Sequence, residues 1–163
     1  DVHAAIAMYR RLYPELPPTQ VFIRATSAGR SWRAQVIEAE ARARQGAPTW
    51  VYQLDYSSRG NGGRYGAYHM LDIPLVFANT HEAAADTGDD EAARAMAATM
   101  SDALLRFART GDPNGGPLPK WPQHELGRRE TMIFDVVTRV EADPRGEERR
   151  FFGVAPYIQP GTY

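Results

Sequence analysis

RYGAYHMLDIPLVFAN, residues 64 to 79, places one histidine, His69, between a Gly-Ala-Tyr lead-in and an apolar run that a single acid, Asp72, interrupts. Just upstream, TWVYQLDY (49–56) is dense in β-branched and aromatic residues and leads into the turn-rich SSRGNGGR (57–64). That pattern reads as a largely buried strand running into a glycine loop. A loop past the end of a strand is where α/β proteins place working residues. An imidazole there, with an ordinary pKa of about 6.5, suits a general base that takes and returns a proton near neutrality. Asp72 comes three positions later, and the apolar IPLVF beside it demands a backbone or hydroxyl partner for the carboxylate.

The flanks supply helices on both sides. Residues 2 to 13 space Val2, Ile6, Tyr9 and Tyr13 along one helical face, and Pro14 with Pro17-Pro18 ends it. Thr19 is a candidate cap for the next segment, in which Val21, Phe22 and Ile23 fit either a helix or a strand. SWRAQVIEAEARARQ (31–45) is helix-forming and Gly46 is placed to close it. After the histidine segment, Asp89 and Asp90 predict the start of a long helix to about Thr110, with Met96, Met100, Leu104 and Phe107 as its apolar stripe. Trp121 reads as a packing anchor in the extended loop after that helix, and ETMIFD and TRVEAD as two antiparallel strands around Val136-Val137. The tail carries Phe151, Phe152, Tyr157 and Tyr163 without periodicity.

Composition removes whole classes of function. At 163 residues the chain has the length of one ordinary domain. Its 19 basic and 20 acidic residues balance to a net charge of −1, and its Arg-Arg pairs lack interleaved aromatics, so neither nucleic acid nor an anionic membrane is indicated as a partner. The absence of cysteine removes a disulfide framework, thiolate metal sites and a cysteine nucleophile. His3, His81 and His124 share no metal-ligand spacing and read as solvated or capping residues, so no metal or cofactor is expected. No apolar run reaches the roughly 18 residues of a membrane span, and the compartment is left open. The opening DVHAAIAMYRRLYPEL resembles no signal peptide and starts in the middle of an amphipathic pattern, the look of a cut in a longer gene product.

These segments together carry a family resemblance. GAYHMLDIPLVF (66–77) resembles the histidine loop of the type-B carboxylesterases, the cholinesterase and para-nitrobenzyl esterase group, with its pattern Gly-Ala-x-His-x-x-acid-Ile/Leu-Pro-Phe-Val-Phe. FARTGDPNGGPLPKWPQH (107–124) is similar to that family's Phe-Ala-x-Thr-Gly-Asp-Pro-Asn segment, and RRETMIFDVVTRVEADPRGEER (128–149) to its Thr-Met-x-Phe-Asp ending, in the same order. The likeness runs from about Trp50 to Arg149 and, more loosely, over the helices before it. It implies the C-terminal portion of an α/β-hydrolase, an α/β fold of a few strands with packed helices, with residues 1–163 as a single C-terminal segment. It implies His69 as the triad histidine of a serine esterase and Asp72 as the acid that supports it. The substrate implied for the whole enzyme is a small-molecule carboxylic ester. Two positions depart from the pattern: Leu75 stands where the family usually has Phe, and Ala78 where Gly is common.

The family's Gly-x-Ser-x-Gly elbow and glycine-rich oxyanion loop are absent from these 163 residues. Hydrolysis by this chain alone is therefore expected to be negligible. ATSAG (25–29) imitates an elbow, and Ser27, Asp55 and His69 even keep the order of a triad, but Ser27 is read as a cap for the helix holding Trp32. The competing reading is a non-catalytic module that self-associates through apolar faces around Val51, Leu54 and Phe134.

Overall fold

Three short strands, β1 (Tyr52–Leu54), β2 (Glu130–Phe134) and β3 (Arg139–Ala142), form one sheet in the order β1-β2-β3. β1 and β2 run parallel, with Tyr52 opposite Met132 and Leu54 opposite Phe134. β2 and β3 are the expected antiparallel pair, from Glu130 opposite Ala142 to Ile133 opposite Arg139. Every residue of β2 is buried, as a central strand requires. β1 is not the largely buried strand its composition suggests. Among the described residues it has a neighbour on one side only, and Tyr52 is 42% exposed.

The computed structural model describes residues 1–158, which divide into two compact units: Asp1–Ala47 with the described part of Pro144–Tyr163, and Pro48–Asp143. Tyr163 lies outside the described residues.

The unit Pro48–Asp143 holds the sheet and the parallel crossover between β1 and β2. Its main element is the helix Glu91–Thr110, preceded by the short helices Asp72–Val76 and Ala84–Thr87. The long helix begins where predicted: the Asp90 carboxylate accepts from the Ala93 amide at 2.9 Å, and Gly111 closes the far end with φ 76°. The buried arc is Ala93, Met96, Ala97, Met100 and Ala103. Leu104 and Phe107, expected in the stripe, are 44% exposed. The alanines let Asp72–Val76 pack closely on this helix, which turns the arc toward them and leaves Phe107 edge-on to Trp50 at 5.8 Å. Tyr56, Leu71, Leu75, Trp121, Met132 and Phe134 complete this core, with Trp121 in the anchoring role assigned to it. Phe134 is therefore spent on the chain's own interior and presents no face for self-association.

The other unit is helical. Its elements are α1 (Val2–Leu12), α2 (Pro18–Ser27), a π-helical turn (Ala28–Trp32), α3 (Arg33–Arg44) and a last helix, Gly146–Gly153. The Val-Phe-Ile run settles as helix. Pro17 is the N-cap and Pro18, with its fixed φ, takes the first helical position, so Thr19 falls inside the first turn and does not cap. Gly46 closes α3 as expected: its φ is 70°, its amide donates to Ala43 O, and that of Ala47 to Arg42 O. On α1 the buried face is Met8 and Tyr9, while Val2 is 72% exposed and Ile6 also faces out. The face rotates because its C-terminal half meets Glu148. That carboxylate, 1% exposed, accepts from Tyr9 at 2.7 Å and Tyr13 at 2.5 Å and is also bonded by Arg145. Burial alone would raise the Glu148 pKa; the bond and charge of Arg145, with the two hydroxyls, outweigh it and hold the carboxyl below its usual range.

Candidate active-site segment

The path from β1 to His69 is fixed by a few tight contacts. Past Asp55 the chain enters the glycine loop, where Asn61 (φ 50°), Gly62 (φ 69°) and Gly63 (φ 76°) all take the left-handed conformation. Gly60 is buried against the carbonyls of Ala85 and Asp86, where a Cβ would collide. The Ser58 hydroxyl donates to Asp86 O and accepts from the Gly60 amide at 3.1 Å. Asn61 Nδ2 donates to the Asp86 carboxylate at 2.7 Å. The loop is thus stapled to the segment before the long helix, and the Ser58 amide donates to Gly66 O at 3.1 Å, bringing the chain back.

The histidine turn comes directly after this loop. Tyr68 packs against the core, with its hydroxyl 3.4 Å from Thr87 Oγ1, and Leu71 is fully buried. Between these two anchors His69 and Met70 are exposed. Met70 has φ 79°, a left-handed conformation that costs an L side chain on the order of 1–2 kcal/mol. Among the described residues no side chain or backbone group bonds the His69 imidazole, and the residue is exposed.

Asp72 starts the short helix after the turn, half-buried, and finds the hydroxyl partner its setting demands: Tyr52 donates to Asp72 Oδ2 at 3.2 Å. Burial, then the charge and bond of Asp72, push the Tyr52 phenol up to about 12. The two departures from the family pattern also find their places. Leu75 is fully buried and faces the core, not the surface around His69. Ala78 has φ 52° and forms a glycine-type helix stop, its amide donating to Leu75 O and that of Asn79 to Pro74 O. The common Gly at this position therefore has a backbone reason.

Two sequence-based expectations about this part of the chain, the Ser27 cap and the solvated or capping His124, fail against the structure, while the rejection of ATSAG as an elbow holds. Ser27 is no helix cap: it lies in helical backbone at the end of α2 and makes no capping bond. The run before it is helix, not the strand an elbow needs, so ATSAG is no nucleophile turn. His124 is neither solvated nor capping. It is 9% exposed, with Nδ1 3.3 Å from Glu130 O, because the Trp121-Pro122 segment runs through the core. His3 and His81 are exposed, as expected. Among the described residues no group of three or more His, Asp or Glu is placed to hold a metal ion, and no helix is long and apolar enough to cross a membrane. Sequence reasoning missed Tyr52, Ser58 and Thr87, whose roles depend on contacts 19 to 28 residues away that no local pattern marks.

A parallel strand pair joined through packed helices, with an exposed histidine just beyond the first strand, places the molecule in the α/β class. The sequence profile of the Carboxylesterase family matches residues 26–152, and the chain belongs to that family. It is 31% identical over 121 residues to the para-nitrobenzyl esterase of Bacillus subtilis (strain 168), covering 73% of this chain and 24% of that protein. It is 34% identical over 79 residues to the phenmedipham hydrolase of Pseudarthrobacter oxydans, covering 46% of this chain and 16% of that protein. Among solved structures, a carboxylesterase of Geobacillus stearothermophilus superposes with a TM-score of 0.75 at 34% identity, covering 91% of this chain and 31% of that one. A para-nitrobenzyl esterase structure gives 0.63 at 29% identity, covering 74% and 24%. These neighbours have the α/β-hydrolase fold, of which this chain is a three-stranded piece; it spans between 16% and 31% of the length of the relatives named here.

Proposed function

We propose that this chain supplies the general base, His69, of a serine carboxylic ester hydrolase whose nucleophile and orienting carboxylate come from polypeptide outside these 163 residues. In that reaction a serine hydroxyl attacks the ester carbonyl while His69 takes its proton. The imidazolium then protonates the departing alcohol, and water, activated by the same ring, releases the acid. A triad base needs both ring nitrogens, one toward the serine and one toward the carboxylate. The observation that carries the reading is therefore the His69 ring itself, exposed and without an intramolecular partner among the described residues, on a turn held by buried neighbours in a carboxylesterase-family chain. Asp72 supports the turn and not the ring: its carboxylate accepts from Tyr52, and among the described residues it makes no bond to His69.

The test has two arms. The 163-residue chain alone, given a para-nitrophenyl ester, is expected to show no turnover above that of free imidazole. Joined to the remainder of the Bacillus subtilis para-nitrobenzyl esterase it matches, it is expected to turn the ester over, and His69→Gln to cut kcat by at least about a thousandfold with the circular dichroism unchanged. Turnover by the chain alone that disappears in Ser27→Ala, or a folded chimera indifferent to His69→Gln, overturns the proposal.

A further inference from the structure

The histidine turn is held from one side by a residue of the sheet edge that no motif marks. Tyr52 opens β1 opposite Met132, and its ring stands edge-on against Phe134, with centroids 5.7 Å apart. Phe134 is buried and itself edge-on to Trp121, so the phenol rests on the core of the sheet. From there its hydroxyl reaches Asp72, three positions past His69 and two past the left-handed Met70. A backbone held in a sparsely populated conformation persists only where its surroundings determine it. The N-terminal side of this turn is determined by Tyr68 on the core and its contact with Thr87. The C-terminal side has the buried Leu71 side chain and, as its polar tie to the sheet, the bond from Tyr52.

We propose that Tyr52 is a positioning residue for the esterase base: its hydrogen bond to Asp72, and no contact with His69, fixes the turn that presents the imidazole. The inference rests on the reading of His69 as the base. The bond suits the task because the phenol stays protonated, and so a donor, throughout the range in which an imidazole titrates. A tie donated by a second histidine would be lost or gained within that range.

Nuclear magnetic resonance on the isotope-labelled 163-residue chain tests this. In the parent chain the His69 and Met70 amides are expected to be as ordered as those of β2, with order parameters of about 0.85. Tyr52→Phe keeps the ring on Phe134 and deletes only the donor; the two order parameters should fall below about 0.6 while Met132 and Ile133 hold their values. Asp72→Ala should reproduce the loss. Asp72→Asn, which keeps an oxygen acceptor for the phenol, should restore the order; the loss in Tyr52→Phe, which keeps the ring on Phe134, is what a general packing role does not predict. Unchanged order at His69 and Met70 in both Tyr52→Phe and Asp72→Ala overturns the inference, as does equal loosening of β2 or failure of Asp72→Asn to rescue. These readouts involve no catalysis. A chimera that ignores His69→Gln therefore removes the base reading alone, and a His69-dependent chimera alongside undisturbed dynamics in Tyr52→Phe removes the positioning role alone.

Discussion

Replacing Glu148 with glutamine tests whether the helical unit is organised around a buried charge. Glutamine has nearly the same volume, so the change removes charge and one acceptor without opening a cavity. Glu148 is 1% exposed, and the Arg145 side chain that bonds it 11% exposed. Deleting one partner of such a pair leaves the other charge buried and uncompensated, which costs about 3–5 kcal/mol. The remaining amide oxygen still accepts from one of Tyr9 and Tyr13, so the lower end, about 3 kcal/mol, is expected. That is a fall of more than about a hundredfold in the ratio of folded to unfolded unit. The pH dependence has a definite sign. Because the folded state holds the Glu148 pKa below its ordinary value, the carboxylate's contribution is fully present above the ordinary carboxyl range and is lost as pH falls through the lowered value. The glutamine variant lacks that part of the acid limb. Urea unfolding read at the indole of Trp32, on whose ring the Arg145 guanidinium lies 4.2 Å from the centroid, reports this unit directly. A loss under about 1 kcal/mol at pH 7, or an acid limb as steep as the parent's, refutes the reasoning.

Other substitutions probe the frame around the histidine. Ala78→Gly should stabilise the chain by about 0.5–1 kcal/mol, since it relieves left-handed strain at φ 52° and gives back part of that in unfolded-state entropy; a denaturant midpoint that falls contradicts it. Gly60→Ala drives a methyl into the carbonyls of Ala85 and Asp86 and should cost about 3 kcal/mol or more, with amide protection lost at Ser58 and Gly66 before β2. Asp90→Ala removes the cap on the Ala93 amide and should lower stability by about 1 kcal/mol in thermal unfolding; the pair with Arg59, at 3.4 Å and largely exposed, adds little.

Much of the site was legible because its signals are local. Asp90 and Gly46 mark helix ends by chemistry that acts within one turn, and they act as expected. The alternation of ETMIFD and TRVEAD set two strands, and the pattern around His69 carried the family. The misreadings share one cause. Val2, Ile6, Leu104 and Phe107 sit at helical spacing, yet spacing fixes only which residues share a face, and the face that is buried depends on what packs there. His124 and Ser27 were misjudged for the same reason: one lies where a loop crosses the core, the other in a helix that continues through a π turn.

By itself the amino-acid order determined the class of fold, the helix ends and the family pattern around position 69, because periodicity, capping and turn preference act over a few neighbours. Only tertiary structure decided that Tyr52 holds Asp72, that Ser58 and Gly60 clamp the glycine loop to Asp86, and that Leu75 points inward while the imidazole stays open to solvent. Those outcomes belong to contacts between segments far apart in the chain. They depend on the side of β1 that meets β2 and on the arc of the long helix that meets Asp72–Val76, and neither is written in any one stretch.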